Sequence, residues 1–240
     1  MKSPLHTLAP LVAGVLLSAG VSGCKREEPK PTSPPAAATG AASAGPPTKA
    51  YTHPAADQLG TLPEGIGLPV GAALPDVSLS DAEGRQVSLR ELGSRGPLLV
   101  IFYRGGWCPF CNFQIRELTT AFPEFRRRGV TPVALSVDRI EEAAKTRATY
   151  EIPFPVLSDP DLVAHRAFRV VRHVDDAEFA RLKNMGLDIE AASGRDHHML
   201  AVSAAFIITE GEVRWAHADQ DYKKRPSVAQ LLHALDQLPR

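Results

Sequence analysis

The sequence predicts an α/β fold in which helices flank a central mixed β-sheet. Residues 98–103, LLVIFY, form the continuous apolar run that is typical of a strand buried on both faces. Strand patterns and helix patterns alternate from that run to about residue 160, which favours parallel strands joined by helices. Two further strand patterns and a helix close the chain, so the sheet is expected to gain antiparallel strands.

Length and composition exclude several classes of protein. The 240 residues are enough for one domain with an appended segment. Lys and Arg together number 27, as do Asp and Glu, and this balance excludes the basic surface of a typical nucleic-acid-binding protein. The hydrophobic fraction of 44% supports a core and excludes a wholly disordered chain. The 3 cysteines are too few for a small scaffold built on disulfides.

Residues 1–23 are predicted to be a lipoprotein signal peptide. Lys2 gives a positive start, and the apolar run that follows it is too short for a membrane-spanning helix. The tetrapeptide VSGC resembles a bacterial lipobox, which implies that Cys24 carries a lipid and anchors the chain in the bacterial cell envelope. An ordinary cleaved signal peptide with a chance cysteine is the alternative. Lys25 stands where retained inner-membrane lipoproteins carry Asp, which predicts the outer membrane, facing the periplasm.

Residues 24–61 are predicted to be the lipidated cysteine and a disordered tether, and residues 62–240 the folded domain. The tether is rich in Pro, Ala, Thr, Ser and Gly and has almost no large apolar residues, so it cannot bury enough surface to become ordered. Its prolines favour an extended chain.

Local patterns predict the elements of the domain. Alternating residues around the turn at 81–84 predict a β-hairpin at 74–89, ahead of the central strand at 98–103. Apolar residues then recur at helical spacing from Cys111 to Phe125, and Pro123 is expected to kink or end this helix. The later elements are a strand at 130–137, a helix at 139–150, a strand at 154–157, a helix opened by Asp159 and Pro160, a helix at 175–186 with Ala177, Leu182 and Met185 facing inward, strands at 204–209 and 212–217, and a helix beginning at Pro226 and Ser227.

The pentapeptide WCPFC at 107–111 carries the chemistry. Cys108 and Cys111 follow the apolar strand and begin the next helix, where a thioredoxin-like redox pair lies. The free N–H groups and partial positive charge of a helix N-terminus stabilise a thiolate, the reactive form of cysteine. The two-residue spacing lets both sulfurs meet within one helical turn, so a redox-active disulfide can close.

A structural disulfide, a zinc site and a pair of inert buried cysteines are the alternatives to redox chemistry. A disulfide that closes so small a loop stabilises a fold only slightly. Zinc needs two further ligands, no second C-x-x-C exists, and His197, His198 and His217 could serve only if the fold happens to bring them beside the cysteines. We therefore predict redox activity with no bound cofactor and no metal.

Three segments together resemble one known family. They are LPVGAALPDVSLSDAEGRQVSLREL, LLVIFYRGGWCPFC and FPVLSDPD, and the similarity spans about residues 62–238. The chain resembles the peroxiredoxin-like branch of the alkyl hydroperoxide reductase / thiol-specific antioxidant family. This resemblance implies a thioredoxin-like fold with an N-terminal hairpin, and reduction of hydroperoxides through a cysteine sulfenic acid.

The chain departs from the usual peroxiredoxin motif. Arg104 stands where that motif has a proline and Cys108 where it has a threonine, while Cys111 holds the place of the peroxidatic cysteine. By comparison with thioredoxins, Cys108 would attack and Cys111 would resolve. The run VSAAF at 202–206 holds neither the arginine of peroxiredoxins nor the cis-proline of thioredoxins. Both assignments of the attacking sulfur stay open.

Arg104, Trp107 and Ser203 are the candidate substrate-binding residues. Arg104 lies four residues before Cys108, where a guanidinium can stabilise a thiolate or polarise a peroxide oxygen. Trp107 is expected to pack beside the disulfide. Ser203 either faces the sulfurs or is an ordinary serine at the start of a strand.

Other polar residues are given structural roles. Loop capping is favoured over proton transfer for Asp138 and Asp159. Tyr222 and Arg225 are assigned to a surface loop or helix start with no part in catalysis. Residues 165–200 are interpreted as an insertion with a helical centre, which would shape either a substrate mouth or an oligomer contact.

The predicted function is a thiol-dependent peroxidase acting on hydroperoxides. A thioredoxin-like or other dithiol reductant is the expected partner, because a cysteine pair in an oxidising compartment stays oxidised without one. The alternative is a thiol–disulfide oxidoreductase acting on exported proteins. A non-catalytic binding module of thioredoxin-like fold is the third hypothesis.

Overall fold

A seven-stranded mixed β-sheet organises residues 51–239, the part of the chain that this computed structural model describes. The strands are β1 (Ser78–Asp81), β2 (Gln86–Ser88), β3 (Leu98–Phe102), β4 (Thr131–Ser136), β5 (Val156–Ser158), β6 (Val171–His173), β7 (Met199–Ala201), β8 (Ser203–Thr209) and β9 (Glu212–Asp219). The helices are α1 (Leu89–Ser94), α2 (Pro109–Thr120), α3 (Phe122–Arg127), α4 (Ile140–Thr149), α5 (Val163–Ala167), α6 (Asp176–Asn184), α7 (Ile189–Ser193) and α8 (Val228–Asp236).

The strand order of the large sheet is β2-β1-β5-β4-β3-β8-β9. The central strands β3, β4 and β5 run parallel, and every other neighbouring pair is antiparallel. The predicted mixed sheet is therefore confirmed. Helices α2 and α3 connect β3 to β4, and α2 begins just beyond the carboxyl end of β3, a buried central strand.

Strand β3 contributes to a hydrophobic core on each face of the sheet. All of its residues are buried, and successive side chains point to opposite faces. Leu98, Val100 and Phe102 enter one core together with α1 and α5. Leu99 and Ile101 enter the other core, which α2, α3, α4 and α8 complete. Burial on both faces explains why the strand is uniformly apolar.

Several predicted boundaries coincide with side-chain caps or with a proline that ends a helix. The carboxylate of Asp81 accepts hydrogen bonds from the backbone N–H groups of Glu83 and Arg85, both at 2.9 Å, and closes the turn of the predicted hairpin. Helix α2 ends before Pro123, as predicted, and α3 starts afresh around it. Ser227 caps α8 in a reciprocal capping box.

The insertion has its own small fold, which the sequence patterns revealed only in part. Besides α6 and α7 it contains strands β6 and β7, which pair with each other and not with the large sheet. Leu182 is buried as predicted, but Ala177 and Met185 are exposed, so the predicted inward face of this helix is wrong for two of three residues. Helix α6 lies on the surface and packs on the rest of the fold through Leu182 and the partly buried Phe179.

Residues at the end of the predicted tether, before the boundary at residue 62, contact the folded domain. Tyr51 is buried, and its hydroxyl donates a hydrogen bond to Glu117 on α2. The backbone of Thr52 pairs with the loop before α8: its N–H donates to Lys223 and its carbonyl accepts from Arg225, each at 2.9 Å. Composition hid this contact because it is made mainly by backbone groups, which any residue type supplies.

The predicted signal peptide, the lipidated Cys24 and most of the tether lie outside the described residues. Within residues 51–239, no helix combines the length and apolar character needed to cross a bilayer.

Candidate active site

The two cysteines lie at the N-terminus of α2, as the motif predicts. Cys108 is the N-cap residue, Pro109 begins the helix, and Cys111 lies in its first turn. Proline suits this first position because its missing N–H would have no partner within the helix. Both sulfurs therefore lie at the positive end of a helix of 12 residues.

Both cysteines are free thiols and both are enclosed. Their exposed fractions are 1% for Cys108 and 0% for Cys111. Burial disfavours a thiolate, so a reactive sulfur at this depth needs positive charge or hydrogen-bond donors close by.

Arg225 supplies that charge to Cys111. The guanidinium is fully buried, and its Nη2 donates to the Cys111 sulfur at 3.2 Å. Its Nη1 donates to the amide oxygen of Gln114, and its Nε donates to the carbonyl of Tyr222, both at 2.9 Å. Among residues 51–239, no carboxylate forms an ion pair with this arginine, so a Cys111 thiolate would be its counter-charge.

The surroundings push the two thiol pKa values in opposite directions. Of the effects on Cys111, burial is the largest, and it raises the pKa. Three groups together outweigh burial and lower the pKa to about 6: the hydrogen bond from Cys108, the charge of Arg225, and the backbone N–H and charge of Arg104. Burial and the hydrogen bond to Cys111 raise the pKa of Cys108 well above its usual value. Near neutral pH, Cys111 is therefore the thiolate and Cys108 the thiol.

Arg104 and Trp107 lie beside the cysteines, and their role in substrate binding stays a prediction. Arg104 is itself paired. Its guanidinium is only 3% exposed and donates to Glu178 of α6 at 3.0 Å. It also stacks between two aromatic rings, 5.0 Å from the Trp107 centroid and 4.2 Å from that of Tyr222. Arg104 thus joins the cysteine loop, the loop that carries Arg225 and the insertion.

Ser203 is buried at the first position of β8, opposite Asp219 of β9. The hydrogen bonds of the described residues do not link its hydroxyl to either sulfur. Its predicted role at the substrate stays a prediction.

Asp138 supports the loop that carries the cysteines. One of its carboxylate oxygens accepts the backbone N–H of Gly106 at 2.7 Å and the hydroxyl of Ser136 at 3.0 Å. Full burial raises its pKa to about 7 despite these hydrogen bonds. A side chain at Gly105 would place a Cβ 2.6 Å from the other oxygen of Asp138 and 2.3 Å from the Trp107 ring nitrogen. The loop is thus packed too tightly for any larger residue at that position.

Asp159 has the loop-capping role that the sequence favours. Its carboxylate accepts the backbone N–H groups of Val163 and His165 at the start of α5, and it also bonds the His165 ring. Within residues 51–239, no group of three or more His, Cys, Asp or Glu side chains is arranged to hold a metal ion.

Sequence reasoning missed Arg225 and Gln114. Arg225 was assigned to a surface loop or helix start. It does lie two residues before the Ser227 cap of α8, but it is 0% exposed and contacts Cys111, so the surface-loop alternative and the lack of a role at the site are wrong. Its backbone is tied to Thr52 on one side, and Pro226 and the Ser227 cap of α8 follow it, so the loop turns its side chain inward. Gln114 shows a weak signal: it lies about one turn after Cys111, on the buried face of α2, whose other residues are Cys111, Ile115 and Leu118.

Two curated proteins match part of this chain. The chain is 30% identical over 91 residues to the thiol-disulfide oxidoreductase ResA of Bacillus cereus, a match that covers 38% of this chain and 51% of ResA. It is 32% identical over 89 residues to the chloroplastic peroxiredoxin Q of Oryza sativa subsp. japonica, covering 37% of this chain and 41% of that protein. The chain thus spans about half the length of these curated relatives.

Solved structures share the fold. Peroxidoxin BcpB from Mycobacterium tuberculosis matches with a TM-score of 0.56 at 19% identity, over 73% of this chain and 99% of that chain. Peroxiredoxin Q from Xanthomonas campestris matches with a TM-score of 0.53 at 24% identity, over 70% and 95%. These matches confirm the predicted thioredoxin-like fold. The model of the AhpC/TSA family matches residues 70–216, more than half of the chain, and the chain therefore belongs to that family.

Proposed function

We propose that this chain is a thiol-dependent peroxidase in which Cys111 attacks the hydroperoxide and Cys108 resolves the product. The observation that carries the proposal is the contact between the buried Arg225 guanidinium and the Cys111 sulfur. A buried cation without a carboxylate is costly unless another anion faces it, and a thiolate is the anion within reach. Arg225 also provides the positive charge that a peroxide oxygen needs as its O–O bond breaks.

The reaction proceeds in three steps. The Cys111 thiolate attacks the terminal oxygen of the hydroperoxide and becomes a sulfenic acid, while the O–O bond breaks and the alkoxide takes a proton from water. The Cys108 thiol then attacks the sulfenic sulfur, so that a disulfide forms and water leaves. A thioredoxin-like or other dithiol returns two electrons and two protons through a mixed disulfide.

Single-turnover kinetics on the full chain test this assignment. The reduced chain, freed of reductant, is mixed with stoichiometric hydrogen peroxide or cumene hydroperoxide, and peroxide loss is followed by stopped flow. Wild type and Cys108→Ser are expected to consume peroxide far faster than a free thiol, and Cys108→Ser to stop at one sulfenic acid that dimedone traps. Cys111→Ser is expected to react no faster than a free thiol.

The opposite pattern would reverse the two roles. Rapid consumption by Cys111→Ser and not by Cys108→Ser would make Cys108 the attacking thiol. A wild-type chain no faster than a free thiol with either peroxide would refute the peroxidase.

Thiol–disulfide exchange with exported proteins is the second candidate. The position of Cys108 at the helix N-cap and the similarity to ResA favour it. Insulin reduction by the reduced chain, faster than by a free dithiol, would support this activity if peroxide consumption fails.

We also propose that Cys24 anchors the chain as a lipoprotein in the cell envelope, facing the periplasm, on the strength of the VSGC tetrapeptide. Metabolic labelling with a palmitate analogue is expected to mark the wild-type chain and not Cys24→Ala. Equal labelling of both would contradict this proposal.

A further inference from the structure

The candidate active site is closed to solvent. Cys108, Cys111 and Arg104 are at most 3% exposed. A hydroperoxide has to touch the Cys111 sulfur to react with it, so a covering group must move before the chemistry can begin.

The insertion holds a carboxylate that pairs with a residue of the site. Glu178 lies in the first turn of α6, where the side chain of Asp175 caps the helix at 2.7 Å from the Glu178 N–H. Arg172 of β6 binds both carboxylate oxygens of Glu178, at 2.6 and 2.7 Å. Residues of the insertion itself therefore hold this carboxylate in place.

A single ion pair leads from this carboxylate to the redox centre. Glu178 accepts from Arg104 at 3.0 Å, and Arg104 in turn stacks between Trp107 and Tyr222. Trp107 immediately precedes Cys108, and the carbonyl of Tyr222 holds Arg225. The pair therefore ties the insertion to both loops that flank the sulfurs.

Residues 171–200 of the insertion are attached in a way that permits movement. Strands β6 and β7 pair only with each other, so opening breaks no strand pairing with the seven-stranded sheet. Phe168 and Val170, at the start of the insertion, are buried in the main core, but the apolar residues that follow them form a separate small cluster, which includes Val137 and Leu162 of the main fold and packs against Trp107. Local opening uses segments of this kind, whose apolar contacts lie largely outside the main core.

We propose that residues 171–200 of the insertion form a lid over Cys111, and that the Arg104–Glu178 ion pair holds this lid closed and thereby restricts which hydroperoxides react. Small hydroperoxides pass with a slight opening, whereas bulky organic hydroperoxides need the pair to break. The statement about hydroperoxides rests on the proposed peroxidase function. The statement about access to the sulfur does not.

Alkylation of Cys111 tests the lid without relying on peroxidase activity. Glu178→Gln is made in the Cys108→Ser background of the full chain, and iodoacetamide labelling at Cys111 is followed by peptide mass spectrometry. The labelling is run about two pH units above the Cys111 pKa measured by titration in each variant, so that the sulfur is a thiolate throughout and a faster reaction reports access. We expect labelling to accelerate about tenfold, equivalent to about 1.4 kcal/mol lost from the closed state.

Glu190→Gln is the matched control. Glu190 lies in α7 of the same insertion and pairs with His198 at 2.7 Å, and no hydrogen bond links it to Arg104. It should label at the parental rate. Parental labelling of Glu178→Gln, or equal acceleration in both variants, would overturn the lid. If Glu178→Gln does not fold, Leu182→Ala, which removes the buried apolar anchor of the same helix and leaves the ion pair in place, is expected to accelerate labelling, and parental labelling of that variant would refute the lid.

The peroxide preference is measured on the same variants with Cys108 intact. The ratio of the rate with cumene hydroperoxide to that with hydrogen peroxide is expected to rise in Glu178→Gln and to stay unchanged in Glu190→Gln. An unchanged ratio in Glu178→Gln would refute the restriction on substrates. If no variant consumes peroxide, the peroxidase function fails while the alkylation result still decides the lid.

Discussion

Arg225→Met is expected to slow the reaction of Cys111 with hydrogen peroxide at neutral pH by about a hundredfold or more. Methionine fills much of the space of the arginine side chain, but it carries no charge and no donors. The Cys111 sulfur would then keep its full burial and lose the cation at 3.2 Å from it. Burial alone favours the neutral thiol, so the pKa of Cys111 should rise from about 6 to above that of a free cysteine.

The size of this effect follows from the cost of breaking a buried ion pair. Removing one partner of such a pair typically costs about 3–5 kcal/mol, and 1.36 kcal/mol is a factor of ten. The amide oxygen of Gln114 and the carbonyl of Tyr222 would also lose the donors that they now accept from. The variant is therefore expected to be less stable as well as slower, and thermal unfolding should accompany the kinetics.

The Cys111 thiolate is titrated by its ultraviolet absorbance in Cys108→Ser, with and without Arg225→Met. The rate of reaction with hydrogen peroxide is measured in the same variants at each pH. Arg214→Met is the control, because Arg214 lies on β9 and pairs with Glu210 and Glu212. It should leave the titration unchanged. A Cys111 pKa in Arg225→Met equal to that of the parent would contradict the ion pair on which the proposed function rests.

The elements that could be predicted from the sequence are those whose residues are determined by near neighbours. Strand β3 is uniformly apolar because both of its faces are covered, and α8 begins at Ser227 because that side chain caps it. Helix α2 could be predicted because the C-x-x-C motif and the helical spacing of apolar residues come shortly after β3 in the sequence. Burial pattern, cap and motif all act within a few residues, so a single sequence is enough to recognise them.

The parts that could not be predicted depend on contacts between distant segments. Arg225 lies 114 residues from Cys111, and its inward orientation depends on backbone pairing with Thr52, in a stretch whose composition resembles a tether. Glu178 looks like any acidic residue in the first turn of a surface helix until the fold brings Arg104 beside it. Neither contact leaves a periodic signal, because each involves one side chain at one place.

Gly106→Ala is expected to destabilise the fold by about 1–3 kcal/mol and to slow Cys111 by displacing its loop. A Cβ at this position would lie 1.8 Å from the hydroxyl oxygen of Thr146, whose side chain is buried and bonded to the carbonyl of Glu142. The loop would have to shift away from α4. That shift would break the 2.7 Å hydrogen bond from the Gly106 N–H to Asp138, which supports the loop ahead of Cys108.

A double-mutant cycle with Thr146→Ala separates this clash from a general intolerance of the loop. Thr146→Ala removes the hydroxyl and methyl groups, and the nearest remaining atom, its Cβ, is 3.1 Å from the new methyl group, a distance that a small shift relieves. Denaturant unfolding should therefore show a favourable coupling of about 1–3 kcal/mol between the two substitutions, with the rate at Cys111 largely restored in the double variant. A double variant as unstable as the sum of the single ones would mean that the loop responds to the lost flexibility of glycine, and that Thr146 does not set its position. Restored stability without restored rate would show that Cys111 depends on the placement of the Gly106 N–H itself, through Asp138, more finely than the fold does.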